Sequence, residues 1–226
     1  MKLSVIIPCF NEAQHIAMVL DAVGDIDIPK EIIVVDDGST DGTTKILEKY
    51  KRESPIIVHS SVLNFGKGTA IRVGLEYVTG DIVIIQDADL EYDPKHYREI
   101  IKPIVDGEAD VVYGSRFLGQ IRGMRLANRI ANRILAWTAN ILFRARITDE
   151  ATCYKAFKAE VIKSLPLKCT GFEFCPEVTA KVCKRGIKIK EVPITYVARN
   201  TAEGKKIGWT DAFTAVWTLF KYRFVD

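Results

Sequence analysis

Residues 82–94 read IVIIQDADLEYDP, so four apolar residues run straight into Asp87, Asp89, Glu91 and Asp93. Carboxylates this close repel one another, and burial raises the cost; a cation, or a ligand that brings one, removes the conflict. In an extended chain Asp87 and Asp89, at i and i+2, fall on one side. If the chain turns there instead, both can address one ion, with Glu91 as a third ligand. Hard oxygen ligands of this kind suit Mg2+ or Mn2+, and Mg2+ keeps phosphate oxygens and water in its shell. Asp93 before Pro94 reads differently, as a helix cap with proline at the first helical position. A second acidic stretch, Asp36-Asp37-Gly38-Ser39-Thr40-Asp41-Gly42, offers a tight turn at Gly38 and a helix cap at Thr40 or Asp41. Two adjacent caps are not needed, which leaves Asp36 or Asp37 to accept hydrogen bonds from a base or a ribose.

The elements that must position these groups are legible in the hydrophobic pattern. Strand-like runs at 3–10, 31–38, 55–60, 81–89 and 109–116 alternate with helical patterns. Ile16, Val19, Leu20 and Val23 follow the i, i+3, i+4, i+7 spacing, and 66–78 and 94–105 read similarly. Short, continuously apolar strands between helices predict a mostly parallel sheet covered on both faces. Ligands in such sheets bind beyond the carboxyl ends of the strands, and PCFNEA, VDDGSTDG and QDADLE gather there. A dinucleotide fold would need G-x-G-x-x-G after a strand. The first strand leads into PCFNEA without a glycine, and NFGKGTA has Ile71 where the third glycine should stand. A Walker A loop is missing too, so phosphate would be held by a metal and basic side chains.

The 226 residues, 48% apolar and 27% charged, suit one soluble globular domain. Net charge is only +3, but no acidic residue lies between Asp110 and Asp149, where Arg116, Arg122, Arg125, Arg129, Arg133, Arg144 and Arg146 fall. That asymmetry points to an anionic partner: phosphate, nucleic acid or a membrane surface. Around 122–144, Leu126, Ile130, Ile134, Trp137 and Ile141 share a helical stripe, with Arg125, Arg129 and Arg133 each one residue earlier, about 100° round the helix. This is a basic amphipathic helix of the kind that lies at a lipid interface. Leu, Ile and Trp between the arginines, with no aromatic stacking platform, argue against nucleic acid and a non-catalytic binding module. A second stripe at about 209–222, with Phe213, Val216, Trp217, Phe220 and then Phe224, is expected to pack into the core. Five cysteines, odd in number and without C-x-x-C spacing, fit reduced thiols in the cytoplasm. The apolar run MKLSVIIPCF reads as a strand rather than a signal peptide, and no run approaches twenty apolar residues.

VIIPCFNEA, VVDDGSTDGT, NFGKGTAIRVGL, GDIVIIQDADLEYDP and DVVYGSRF follow one another in this order. Together they resemble the family 2 glycosyltransferases, in the branch similar to dolichol-phosphate mannose and glucose synthases. The likeness covers residues 3–117 and continues less sharply through TDEATCYKAFKAEVI, GFEFCPEVTAKVCKRGIKIKEVPITY and RNTAEGKKIGW. It implies an α/β fold of the GT-A type in a single catalytic domain, 1–226, with the nucleotide-sugar half at 1–117 and the acceptor half at 118–226. It also implies that Pro8, Phe10 and Glu12 line the nucleoside site, with Asp36 or Asp37 at base and ribose and Lys67 near the nucleotide. Asp87-Ala88-Asp89 would be the D-x-D that holds Mg2+ or Mn2+ on the diphosphate, with Asp89 and Glu91 as direct ligands; related synthases often carry Gln at the position of Glu91. Arg116, Arg199, Lys205 and Lys206 would face the diphosphate or an acceptor phosphate, with Arg129 and Arg133 on the acceptor side.

The implied reaction is inverting transfer of a hexose from a UDP- or GDP-sugar to a polyprenyl phosphate, an anion that needs no general base. The alternative is a hydroxyl acceptor, with Glu173 or Glu177 as base. RNTAEGKK departs from the R-x-G-x-S-K pattern of the mannose synthases, so mannose, glucose and other donors stay open. Dolichol-type relatives often add transmembrane helices after the catalytic domain. The sequence stops at Asp226 without them, so peripheral membrane contact is expected, with a membrane-protein partner as an alternative anchor.

Overall fold

The structure, a computed structural model, describes residues 1–198 and 209–225. Strands β1 (Leu3–Cys9), β2 (Lys30–Asp36), β3 (Ile56–Ser60), β4 (Ile82–Ile85), β5 (Val111–Arg122), β6 (Lys155–Lys158) and β7 (Ile189–Val197) form one seven-stranded sheet in the order β3-β2-β1-β4-β6-β5-β7. Every neighbouring pair is parallel except the two made by β6, which lies antiparallel between β4 and β5. All seven residues of β1 are buried, which is why its sequence is continuously apolar rather than alternating. The connections are α1 (Ile16–Gly24), α2 (Thr43–Glu53), α3 (Lys67–Glu76) and α4 (Tyr97–Val105). The expected stripe of α1, Ile16, Val19, Leu20 and Val23, is its buried face. Asp93 caps the 3-10 turn Pro94–His96 that opens α4, accepting from the Lys95 N–H at 3.0 Å.

Two strand ends depart furthest from the hydrophobic pattern. β4 stops at Ile85 rather than running to 89, so Asp87 and Asp89 stand in a turn and not on one side of a strand. β5 runs on to Arg122 beside β7, with a register shift between Ser115 and Gln120. There Gly119 lies against the β7 backbone, and a Cβ on it would sit 2.0 Å from the Ile194 carbonyl oxygen. Strands β6 and β7 come from the second half of the chain, so the halves at 1–117 and 118–226 share a single sheet.

That second half also supplies α5 (Leu126–Phe143), α6 (Ala159–Ser164), α7 (Phe174–Lys184) and α8 (Trp209–Phe224). On α5, Leu135, Ala136, Thr138 and Ala139 face inward, while the stripe of Leu126, Ile130, Ile134, Trp137 and Ile141 is exposed, Leu126 at 72% and Trp137 at 66%. The arginine-flanked helix therefore turns its apolar stripe outward. The core reading of the last stripe is overturned. On α8, which packs against α5 and α7, Leu219 and Tyr222 are buried, whereas Phe213, Trp217, Phe220 and Phe224 are exposed. The residues that α8 buries lie on its other face, and of the expected stripe Val216 is partly buried against the core.

Glu177 of α7 is fully buried and ion-paired with Lys181 one turn on. It also accepts from the Lys168 N–H at 2.8 Å and the Cys169 N–H at 2.6 Å. Burial pushes this carboxyl up, but the Lys181 ammonium, the Lys168 N–H and the Tyr222 hydroxyl outweigh it and hold the pKa below the ordinary value. A depressed carboxyl stabilises the fold above its unfolded pKa of about 4.3, and that stability is lost as pH falls through the lower folded value. Urea unfolding should therefore show wild-type stability declining below pH ~4.3. Glu177→Gln should lose about 3 kcal/mol at neutral pH, because it strands the buried Lys181, and should decline less steeply in acid. Gly119→Ala should lower the urea midpoint by the equivalent of about 1–3 kcal/mol, since the β5–β7 backbones must part to admit the methyl group.

Candidate active site

The carboxyl ends of β1, β2 and β4 bring three loops to one rim, and polar hooks join them. Asp37 accepts from the backbone N–H groups of Phe65 (2.9 Å) and Gly66 (2.6 Å), tying the loop after β2 to the start of α3. Asp36 accepts from the Ser39 N–H at 3.1 Å and the Thr44 hydroxyl at 2.6 Å. Gly38 and Gly66 have φ of +77° and +94°, and a Cβ at either would lie within 2.6 Å of backbone, of Leu63 and Thr170 respectively. Only glycine meets both demands. Asp36 and Asp37 are 1% and 3% exposed, so their main work here is holding the loops. Each of their carboxylate oxygens accepts one of these hydrogen bonds.

Of the expected nucleoside-site residues, Pro8 is buried within β1 opposite Val35, Phe10 is half-buried at the rim, and Glu12 is buried beside His15 at 3.1 Å. Lys67, the first residue of α3, forms an ion pair with Asp87 and lies 6.0 Å above the Phe172 ring. Burial disfavours its ammonium, but the adjacent Asp87 outweighs this and holds the Lys67 pKa well above the ordinary value. A permanent positive charge thus stands against the first carboxylate of the D-x-D.

Ala88 is buried, and Asp87, Asp89 and Glu91 are all half-buried in the turn after β4. Asp89 accepts from the Glu91 N–H at 3.0 Å. Glu91 accepts from the Tyr196 hydroxyl at 2.8 Å. Among the described residues, no three His, Cys, Asp or Glu side chains converge as a metal cage. The three-carboxylate set expected from the sequence is not assembled: Asp87 faces Lys67 and Glu91 faces Tyr196. The donor set still fits a hard cation that completes its shell with phosphate oxygens and water, since Mg2+ commonly takes only one or two carboxylates.

Arg116 departs from its expected role. Its guanidinium is 5% exposed and forms a bidentate pair with Asp149, Nε to Oδ2 and Nη2 to Oδ1, both at 2.7 Å. It also stacks on the Tyr196 ring at 5.1 Å. A charge so engaged does not face a phosphate; it anchors the wall of the site. Arg129 and Arg133 lie on α5 as expected, lining a groove of about 690 Å³ with Ile130, Trp137, Asn140 and Thr148, and Arg133 stacks on Phe117 at 4.5 Å. Glu173 accepts from the Thr170 and Gly171 N–H groups at 2.7 and 2.9 Å. Burial raises its carboxyl, but the Gly171 and Thr170 N–H groups outweigh it and keep the pKa below the ordinary value, which suits a loop brace better than a base. Glu177 is enclosed in the core and reaches no acceptor. Arg199, Lys205 and Lys206 lie outside the described residues.

The sequence reading passed over Gln86, Tyr92, Cys153, Asp149 and Tyr196, which surround the acidic turn. Gln86 at the end of IVII and Tyr92 within the acidic stretch itself were signals in plain view; Asp149, Cys153 and Tyr196 come from distant strands and turns.

Residues 4–165 match glycosyl transferase family 2. An uncharacterised protein of Methanocaldococcus jannaschii is 31% identical, the match covering 97% of this chain and 90% of that protein. The dolichol-phosphate mannosyltransferase of Pyrococcus furiosus is 28% identical over 93% of this chain and 60% of its own length. The low-salt glycan biosynthesis hexosyltransferase Agl6 of Haloferax volcanii is 30% identical over 88% of this chain and 48% of its own. The chain thus spans about half to three-fifths of the length of these last two relatives. Among solved structures, glucosyl-3-phosphoglycerate synthase of Mycobacterium tuberculosis, in a complex with Mn2+, UDP and glucosyl-3-phosphoglycerate, superposes with a TM-score of 0.75 at 23% identity, covering 100% of this chain and 81% of that one. That likeness shows a shared fold, the GT-A arrangement. With the D-x-D turn at the carboxyl end of β4 and the family match over most of the sheet, the chain belongs to glycosyl transferase family 2 and is a glycosyltransferase.

Proposed function

We propose that this enzyme transfers a hexose from a UDP- or GDP-sugar to a polyprenyl phosphate at a membrane face, with inversion at C1 and with Mg2+ or Mn2+ bound to the donor. The observation that carries this reading is a run of contacts from the acidic turn to an apolar groove. Glu91 meets Tyr196, Tyr196 stacks on Arg116, and Arg116 pairs with Asp149, next to Thr148 in the groove wall. The acidic turn and the α5 groove are therefore two ends of one wall. An apolar channel bordered by Arg129 and Arg133 suits an acceptor with an anionic head and a prenyl tail. The exposed stripes of α5 and α8, with Arg125, Lys221 and Arg223 beside them, suit an anionic lipid surface. Among the described residues no helix is long and apolar enough to cross a membrane; the contact proposed for α5 and α8 is peripheral. The relative named dolichol-phosphate mannosyltransferase supports a lipid-phosphate acceptor, and the one named hexosyltransferase supports transfer of a hexose.

In the reaction an acceptor phosphate oxygen forms a bond to C1 of the sugar while the bond from C1 to the diphosphate oxygen breaks, and the electron pair leaves with the diphosphate. The divalent cation, when bound, neutralises charge that builds on that leaving group. Asp89 would hold the cation's protein side, and Asp87, paired with Lys67, holds a second positive group on the same rim. No side chain has to take a proton, because the acceptor is already an anion. Neither Glu173, braced by two backbone N–H groups, nor Glu177, enclosed with Lys181, supports the hydroxyl-acceptor alternative.

The direct test is nucleoside diphosphate release from a panel of UDP- and GDP-sugars with Mg2+ or Mn2+, with and without polyprenyl phosphate. Release from one donor that depends on the lipid is expected; release that ignores it would redirect the search to hydroxyl acceptors. Asp89→Ala should reduce transfer about 100-fold or more with an unchanged circular dichroism spectrum, on the scale of losing one group that stabilises transition-state charge. Trp217→Glu, at a side chain 62% exposed, should weaken co-sedimentation with anionic vesicles without lowering the melting temperature.

A further inference from the structure

Gln86 is the last residue before the D-x-D, and it is completely buried. Each unmet group of a buried primary amide is costly, so its contacts decide how it sits. Its Nε2 donates to the carbonyl oxygens of Asp87 at 3.0 Å and Tyr92 at 3.4 Å. Carbonyls only accept, so the nitrogen must be the atom on that side, and the orientation of the amide follows. Oε1 then accepts from the hydroxyls of Tyr97 at 2.8 Å and Tyr154 at 2.7 Å. All four hydrogen-bonding capacities of one side chain are used.

The two carbonyls are the ends of the 87–92 turn, the segment that carries Asp87, Asp89 and Glu91. The two hydroxyls come from α4 and from the residue before β6, so Gln86 straps the acidic turn to two separate elements. Around it Tyr92 packs on Tyr154 at 4.9 Å and on Tyr196 at 5.1 Å, and the Tyr92 hydroxyl accepts from the Cys153 N–H at 3.2 Å. An apolar side chain such as Leu or Met would fill this volume but would leave the Tyr97 and Tyr154 hydroxyls without this acceptor and the Asp87 and Tyr92 carbonyls without this donor. The matched amide therefore ties the path of the turn to the elements around it.

We propose that Gln86 is a positioning residue: its amide fixes the 87–92 turn so that Asp89 is held ready for the donor's divalent cation. The inference rests on the donor-site reading above. Outer partners that orient metal-binding carboxylates typically change metal affinity 10–100-fold when removed.

The test uses Gln86→Met, which keeps the volume and removes the amide, and Tyr97→Phe, which removes one hydroxyl and leaves the core filled. Mn2+ binding is read from the free-ion electron paramagnetic resonance signal in the presence of UDP or GDP. Nucleotide binding without metal, the melting temperature and the Mn2+ dependence of donor hydrolysis are measured beside it. Gln86→Met should bind Mn2+ with nucleotide about 10–100-fold more weakly, and Tyr97→Phe should move the same way by a smaller factor. The half-saturating Mn2+ concentration should rise while the rate at saturating Mn2+ holds within about 3-fold, a split that a general loss of stability does not produce. Unchanged Mn2+ affinity in Gln86→Met, or in Tyr97→Phe if the first variant does not fold, overturns the positioning role alone. Wild-type protein that binds Mn2+ with neither UDP nor GDP overturns the donor-site reading, and this inference with it.

Discussion

The buried pairing of Arg116 with Asp149 is the contact on which the second half of the site depends. Two charges removed from water are tolerated only when their geometry is good and their remaining hydrogen-bonding capacity is met. Both conditions hold. Asp149 receives Nε, Nη2 and the backbone N–H of Arg116 at 2.7, 2.7 and 2.9 Å. The turn that carries it is tied down in turn by Glu191, which accepts from the Thr148 and Asp149 N–H groups at 2.8 and 3.0 Å. Through this cluster β5, β7 and the turn before β6 become one body. Tyr196 is fixed over the guanidinium, Glu91 is fixed by Tyr196, and the groove wall at Ile147 and Thr148 is set by the same turn. Asn140 closes the arrangement from α5, exchanging hydrogen bonds with both backbone groups of Ile147 at 2.8 Å.

On the other side of the rim, the constraint is backbone proximity rather than charge. The loops after β2 and β3 and the segment at 169–171 approach so closely that only glycine fits at Gly38, Gly66 and Gly68. Asp37 supplies the hydrogen bonds that the Phe65 and Gly66 N–H groups would otherwise lack. The site is therefore assembled from a tightly hooked side around Asp37 and an ion-paired side around Arg116, joined by the short turn that ends β4. Lys67 and Asp87 face each other where the two sides meet, so positive and negative charge are present before any ligand arrives.

What the sequence made legible follows from which interactions are local. The apolar runs of β1, β2 and β4 and the spacing of α1 are period signals, and they placed those elements to within a few residues. The position of Asp87 and Asp89 beyond a strand end was readable for the same reason. The end of β4 itself was not, because an apolar run cannot show that Gln86 turns its amide inward to partners 6 to 68 residues away. Arg116 looked like a phosphate ligand because its motif shows the charge and not the carboxylate 33 residues later that consumes it. Glu177 looked like a base because nothing in GFEFCPE reveals Lys181 beneath it. The α8 stripe looked like core because aromatic residues at helical spacing usually are core; Leu219 and Tyr222 bury the other face. Short β6, four residues of KAFK, has no period long enough to announce a strand, yet it occupies the middle of the sheet.

That position of β6 bears on how the chain comes off the ribosome. Parallel strands β1 to β4 can pair as soon as residue 85 has emerged, but β4 then presents an open edge where β6 belongs. β5 cannot close it, since in the finished sheet β5 meets β4 only through β6. Some seventy residues must therefore be made before the sheet is continuous, including the whole of the amphipathic α5. Unpaired edges and exposed apolar helices are the features that invite association during synthesis. The nascent chain carries both at once, which favours early capture by a chaperone.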